Sequence, residues 1–376
     1  MAGIYFHIPF CKQACHYCNF HFSTSLNNKA LMLECMLKEL EMRKEELSNV
    51  QVQSIYFGGG TPSLLTPKEI SKFIEAVNRI FSVSTTPETT LEMNPDDYTN
   101  DLFADLKSAG VNRLSIGVQS FYEKELKMMN RAHSVDQVHQ VLKAATQAFD
   151  NFSLDLIYGM PYSTLSSWTE NLARALSYAP PHISSYALTV EPKTLLAHKV
   201  AKNEIVLLEE EKVAAQFDQL VEILERAGYE HYELSNFGKP NYHSVNNSSY
   251  WKGDAYLGIG PSAHSFDGRQ RSWNIAKNPT YIKSIQNNTL SITREILSQI
   301  DHYNEYIMTR LRTQEGVQLS EISTRFGARF VALLEEMSEA PVQNRFLFWD
   351  GDALKVTRKG KFLVDGLASD LFLINL

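Results

Sequence analysis

Three of the four cysteines in this chain fall within eight residues, inside the stretch IYFHIPFCKQACHYCNFHF (residues 4–22). Cys11, Cys15 and Cys18 stand at C-x3-C-x2-C spacing, with the apolar run Ile4 to Phe10 leading in and aromatic residues beyond. A loop this short brings all three sulfurs to one side, where thiolates can share one soft metal centre. The number of ligands then discriminates. A structural zinc site is closed by four protein ligands, whereas a four-iron cluster held by three cysteines leaves one iron free for a small molecule. His7, His16 or His21 would serve as the fourth ligand if the metal is zinc. A disulfide framework does not fit, because three clustered cysteines cannot pair off evenly and nothing suggests secretion.

A chain of 376 residues is long enough for one large α/β domain and a smaller one. Its 44% hydrophobic and 21% charged residues are ordinary for a soluble globular protein. The net charge of −7 argues against a general nucleic-acid binder, which needs a basic footprint. MAGIYFHIPF has neither a positive n-region nor a small-residue cleavage site, so it does not read as a signal peptide. No apolar run approaches the roughly 20 residues that span a bilayer. The expected compartment is the reducing cytoplasm, which also suits an oxygen-sensitive cluster.

Six strand–helix units are expected. The strands are Ile4–Ile8, Ser54–Phe57, Thr90–Met93, Arg113–Val118, Phe152–Tyr158 and His182–Thr189. Helices are expected over 28–47, 67–81, 122–131, 135–149 and 167–178, with a long one closing near 227. Thr66 followed by Glu69 predicts a capping box at the second of these. Alternating β and α implies parallel strands with right-handed crossovers, here a partial (β/α)6 barrel over residues 1–227. The strand C-terminal ends should carry the chemistry. Residues 228–289 read as a tyrosine-rich β extension at the barrel edge. Residues 290–376 read as a mainly helical, winged-helix-like domain, with a hairpin around Asp350-Gly351. Basic residues there are few, so a lid or docking role is expected in place of DNA binding.

HIPFC-x3-C-x-YC resembles the cluster-binding signature of radical S-adenosylmethionine (radical SAM) enzymes, and the resemblance extends over essentially the whole chain. Its flanks are similar to one branch of them, the oxygen-independent coproporphyrinogen III oxidases and the HemW-type heme chaperones. The resemblance implies a [4Fe–4S] cluster on Cys11, Cys15 and Cys18, with SAM bound at the open iron. The cluster would pass one electron to the sulfonium and so cleave a C–S bond. Gly58-Gly59-Gly60-Thr61-Pro62 looks like the segment that contacts the SAM methionine amino group, and glycines there let a ligand approach the backbone. L-E-M-N-P resembles the family's E-x-N-P, which gives Glu92 the ribose hydroxyls. By the same resemblance Gln119, Arg131 and Asp155 line the SAM site, with Tyr5, Tyr17 and Ala187 as further contacts. Asp155, an acid inside the apolar strand FSLDLIYG, needs a partner if buried, either a bound ligand or Arg131.

Gly258-Ile259-Gly260 lacks the third glycine and following helix of a dinucleotide loop. It resembles a segment bordering the cofactor, which makes His264 a candidate contact beside the alternative of a packed strand histidine. Between the branches, the oxidases usually carry a further cysteine two residues after the third and a longer N-terminal arm. This chain has Cys18-Asn19-Phe20 and reaches its first cluster cysteine at residue 11, as the chaperones do. The chaperones' H-N-x-x-x-W heme motif corresponds to Asn246-Asn247-Ser248-Ser249-Tyr250-Trp251, so histidine is replaced, and His243, three residues upstream, is a candidate axial ligand beside the alternative of a surface histidine. The expected function is therefore a radical SAM-fold heme chaperone that binds heme or a porphyrin and passes it to acceptor proteins. The alternatives are an oxygen-independent coproporphyrinogen III oxidase, drawing electrons from a flavodoxin or ferredoxin, and a zinc-binding regulator with a winged-helix tail.

Overall fold

The computed structural model describes residues 1–374. β1 (Ala2–Ile8) leads through the cysteine loop to α1 (Lys29–Met42), β2 (Val52–Gly59) to α2 (Pro67–Ile80), and β3 (Val83–Met93) to α3 (Leu102–Ser108). β4 (Arg113–Gln119) is followed by α4 (Glu123–Met128) and α5 (Val135–Ala148), and β5 (Phe152–Tyr158) by α6 (Leu165–Leu176). β6 (His182–Ala187) is followed by α7 (Leu195–Ala201) and α8 (Glu210–Arg226). β1 to β6 lie side by side in chain order, all parallel. This is the winding of a partial (β/α)6 barrel, each helix returning the chain to start the next strand in the same direction. The capping box of Thr66 and Glu69 starts α2 as expected. The third strand is longer than its apolar run, beginning at Val83, and α7 has too short a pattern to be seen in the sequence.

The barrel strands divide their side chains by charge. Ile4, Phe6, Ile8, Ile55, Phe57, Leu114, Ile116, Leu154 and Leu156 are fully buried in the main core. Each such side chain contributes about 1.5–3 kcal/mol by leaving water. The alternate positions are polar. One rung of register holds Glu92, Ser115, Ser153 and His182, and the rung below it Tyr5, Tyr56, Thr90 and Arg113. The period of two along a strand sends these to the opposite face, into the lumen.

Residues 228–296 extend the sheet at both of its edges, past the expected end at residue 289, because the strand Ile292–Ile296 pairs with Gln270–Asn274. β7 (Glu230–Glu233) and β8 (Asn236–Gly238) add antiparallel strands beside β6. The chain then forms α9 (Val245–Lys252) and crosses to the far edge, where β9 (Ala255–Ile259) pairs in parallel with β1. β10 (His264–Phe266), β11 (Gln270–Asn274), α10 (Asn278–Gln286) and β12 (Ile292–Ile296) complete a 12-stranded sheet. α9 replaces part of the expected β extension. It buries no residue, so no apolar stripe announces it, and it is held by its ends. Ser244 caps it, Gly253 ends it in the left-handed conformation, and Glu88 of β3 accepts from Val245 N at 3.0 Å and Asn246 N at 3.1 Å.

The C-terminal part comprises α11 (Gln299–Leu311), β13 (Val317–Gln318), α12 (Leu319–Phe326), α13 (Ala328–Gln343), β14 (Leu347–Asp350) and β15 (Ala353–Val356). α14 (Arg358–Lys361) and α15 (Val364–Asp370) follow. β13 joins the expected hairpin to make a three-stranded wing against these helices. Tyr303, Ile307, Leu334, Leu354 and Leu371 form a second core. Among the described residues no helix is long and apolar enough to cross a membrane.

Candidate cluster and cofactor site

A cavity of about 630 Å3 lies within the barrel and opens at the C-terminal ends of its strands, within the usual size of a small-molecule site. Cys11, Cys15, Cys18, Tyr17, Gly59, Gly60, Thr61, Glu92, Gln119, Arg131, Asp155 and Ala187 all line it. These positions come from six different strand–loop junctions, and the parallel sheet is what brings them to one place.

The cysteine loop is fastened at its base. Cys11 N donates to Ser23 O at 3.0 Å and Ser23 N to Pro9 O at 2.9 Å. The glycine segment is tied to the same loop, with Gly60 N donating to Ile8 O at 2.8 Å and Thr61 N to Phe10 O at 2.6 Å. A Cβ on Gly60 would meet Phe10 O at 2.5 Å, so only glycine fits this approach. Burial pushes the Cys11 thiol up to about 11 and raises Cys18 as well. The nearest cation is Arg131, whose Nη1 lies 3.4 Å from Cys15 Sγ. Such thiols ionise only when a metal centre takes up their charge.

Three cysteine sulfurs line the cavity, the number that leaves one iron of a four-iron cluster open, whereas a closed zinc site needs a fourth protein ligand. The neighbouring imidazoles are engaged: His7 Nε2 with His21 O at 2.8 Å, His16 Nδ1 with Met128 O at 2.8 Å, and His21 Nε2 with Asn278 Oδ1 at 2.7 Å.

Beneath the loop, Glu92 is held from two sides by the Tyr56 hydroxyl and Gly59 N. A Cβ on Gly58 would come within 3.0 Å of Glu92 Oε1 and 2.9 Å of both Tyr5 and Tyr56. Burial is the main cause that pushes Glu92 up to about 7, with Asp155 adding to it and Tyr56 opposing. Asp155 is likewise pushed by burial up to about 6, opposed by Arg113 and by serine hydroxyls. Its hydrogen-bond partners are Ser115 Oγ at 3.2 Å and Ser153 Oγ at 3.4 Å. Arg131, one of the two partners expected for Asp155 beside a bound ligand, turns instead to Asn94 Oδ1 at 2.5 Å and Gly117 O at 3.0 Å as well as to Cys15. Gln119 ends β4 at a φ of 65°, a strained conformation of the kind that clusters at functional sites.

Three named residues stand apart from the cavity lining. Tyr5 packs behind Tyr56 at a ring separation of 5.9 Å, its hydroxyl 3.4 Å from His7 Nδ1. His264 is exposed at the start of β10 with its ring over Trp273 at 5.9 Å. His243 stacks on Tyr232 at 4.2 Å, with Nε2 at 2.8 Å from Glu230 Oε2. The Gly258-Ile259-Gly260 backbone is consumed by α1 and its C-cap, since Arg43 Nη1 donates to Gly258 O at 2.8 Å and Gly260 N to Glu39 Oε2 at 2.9 Å. Tyr56, Arg113, Ser115, Ser184 and Tyr186 also line the cavity and were not anticipated. Their signal was the polar alternation within apolar strands.

Known proteins give the same picture. The Radical SAM superfamily model matches residues 5–175 and the HemN C-terminal domain model residues 297–363. The Heme chaperone HemW of Lactococcus lactis is 30% identical over 96% of this chain and 97% of its own length. That of Escherichia coli is 32% identical over 99% and 98%. In Danio rerio, the mitochondrial Radical S-adenosyl methionine domain-containing protein 1 is 31% identical over 99% of this chain and 87% of its own length. The solved structure of coproporphyrinogen III oxidase (HemN) from Escherichia coli, at 22% identity, superposes with a TM-score of 0.85 over 99% of this chain and 90% of that one, which shows the shared fold. With a three-cysteine loop set above a parallel barrel, and relatives aligned along its whole length, the chain belongs to the radical SAM superfamily and, within it, to the HemW family.

Proposed function

We propose that this protein is a heme chaperone that holds a [4Fe–4S] cluster and SAM in the barrel and delivers heme to acceptor proteins. The observation that carries the reading is full-length identity of about 30% to proteins named heme chaperone, together with an intact cysteine loop. Cys11, Cys15 and Cys18 hold the cluster, which when bound supplies one electron to the sulfonium of SAM. Gly59, Gly60 and Thr61 cradle the methionine end, and Glu92 accepts from the ribose hydroxyls. Arg131 fixes Cys15 and the Asn94 side chain, while Gln119, Asp155 and Ala187 complete the wall. Phe20 is 67% exposed at the cavity mouth, where the oxidases usually have a further cysteine. An exposed ring there offers an apolar face to a macrocycle and adds no ligand. With Asn246 in the motif, His243 is the axial ligand closest in sequence, and it must leave Glu230 to bind iron.

An anaerobic hemin titration of the cluster-reconstituted protein, followed by gel filtration, tests the reading. A Soret band that co-elutes with the protein and weakens in His243→Ala supports the chaperone and its ligand. If no heme is retained and coproporphyrinogen III is decarboxylated when a flavodoxin or ferredoxin supplies electrons, the oxidase reading replaces it.

A further inference from the structure

The lowest rung of the cavity contains a buried cation whose ion pair is long and shared. Arg113 is 2% exposed, lines the cavity, and its Nε has no hydrogen-bond partner among the described residues. Its ion-pair partner, Glu88, stands 3.8 Å away. Glu88 is already committed, accepting from Ser244 Oγ, Val245 N and Asn246 N. The other carboxyls near it are satisfied elsewhere, Asp155 by serine hydroxyls and Glu92 by the Tyr56 hydroxyl and Gly59 N. A buried guanidinium whose ion pair is long and shared with three other donors is only partly compensated, and its planar fork matches a carboxylate bidentately. The register puts Arg113 one rung below Glu92 and Ser115, on the side away from the cysteines. Asn247 and Tyr186 line the same cavity and supply an amide and a phenol.

We propose that Arg113 is the receptor for an alkyl carboxylate, carried by a ligand that occupies the barrel floor while SAM occupies the space beneath the cluster. This goes beyond the heme-chaperone reading and does not depend on it. Two sources share that chemistry, a free small carboxylate and the propionate arm of a tetrapyrrole.

The test is thermal unfolding of the cluster-loaded protein with saturating SAM, as chloride is replaced by propionate at constant ionic strength. A ligand that binds only the folded state raises the unfolding temperature in a saturable way. The wild type is expected to show that rise, Arg113→Lys a smaller one and Arg113→Gln none. Should Arg113→Gln fail to fold, Asn247→Leu is expected to show a reduced rise. An equal rise in all variants, or none in the wild type, overturns the proposal. So does a rise seen only without SAM, because Arg113 would then serve SAM itself. Hemin and its dimethyl ester identify the source. An Arg113-dependent rise with hemin that the ester lacks points to a tetrapyrrole arm, and a rise with propionate alone to a free carboxylate. Failure of the wild type to retain hemin bears on the chaperone reading and leaves the propionate result standing.

Discussion

Tyr56 and Glu92 meet across adjacent strands, the hydroxyl donating to Oε1 at 2.8 Å while Gly59 N donates to Oε2 at 3.2 Å. The carboxyl is thus fixed in position but poorly solvated, and burial pushes it up to about 7 from 4.5. A carboxyl raised in this way binds its proton more tightly in the folded state. Its stabilising effect is complete below the unfolded value and is lost as pH rises through the folded one. The ligand-free protein is therefore expected to lose on the order of 3 kcal/mol between about pH 4.5 and 7.5 from this group. Glu92→Gln should flatten that slope and, on the proposed ribose contact, weaken SAM binding by roughly 10- to 100-fold because the charge and one of the two acceptor oxygens are lost. Urea midpoints at pH 5 and pH 8, with equilibrium SAM binding, check both, and an unchanged pH slope would rule out Glu92 as its source.

The four cysteines are expected to separate cleanly. Cys11, Cys15 and Cys18 line the cavity, while Cys35 is buried in α1 against Ile282 O at 3.9 Å. Serine at any of the first three should cut bound iron and sulfide to a small fraction of the wild-type content. Cys35→Ser should leave both unchanged and cost stability alone, about 1–3 kcal/mol for a hydroxyl placed in a packed site. Iron and sulfide analysis after anaerobic reconstitution decides it. One zinc per chain with no sulfide would return the zinc reading.

Arg131 touches the cluster loop through Cys15, with Nη1 at 3.4 Å from the sulfur and the Tyr17 hydroxyl 3.5 Å away. Hydrogen bonds and positive charge at a ligating sulfur raise a cluster's reduction potential, because they stabilise the electron-rich form. Arg131→Gln is expected to make the midpoint potential more negative by tens of millivolts, on the scale set by about 59 mV per tenfold change for one electron. Arg131→Lys should fall between. A titration that finds all three potentials equal would show that the guanidinium positions Asn94 and does not tune the cluster.

Much of this arrangement was legible because its signals are local. The cysteine spacing, the Thr66–Glu69 capping box, the bounds of Phe152–Tyr158 and the β/α alternation each lie within a few residues of chain. What stayed hidden depends on partners far away in sequence. Tyrosine-rich residues 228–275 gave no sign that β9 would pair with β1 or that α9 would interrupt the strands. The lumen residues were overlooked because an apolar run reads as a buried strand, and the polar alternate positions within it look like exceptions. Arg113 and Ser115 are where that reading failed, and the barrel places both on the cavity wall.

Glu88 supports the last prediction. Its carboxylate sits at the N-terminus of α9, where unpaired N–H groups and the helix dipole favour an anion. It accepts from Val245 N, Asn246 N and Ser244 Oγ, although more than 150 residues of chain lie between them. α9 buries no residue of its own, so this contact and Ser244 are the principal restraints on the start of the Asn246–Trp251 motif. Glu88→Gln keeps the size and one acceptor but loses the charge, and is expected to cost about 1–2 kcal/mol. Native-state hydrogen exchange reads the effect directly. The amides of Val245 and Asn246 should exchange roughly 5- to 30-fold faster, as that free-energy loss implies if opening is local to the helix. Amides of β4 and β5 should be unaffected. Equal acceleration throughout the barrel would mean that Glu88 serves mainly as the counter-ion of Arg113, and that α9 is held in place by other contacts.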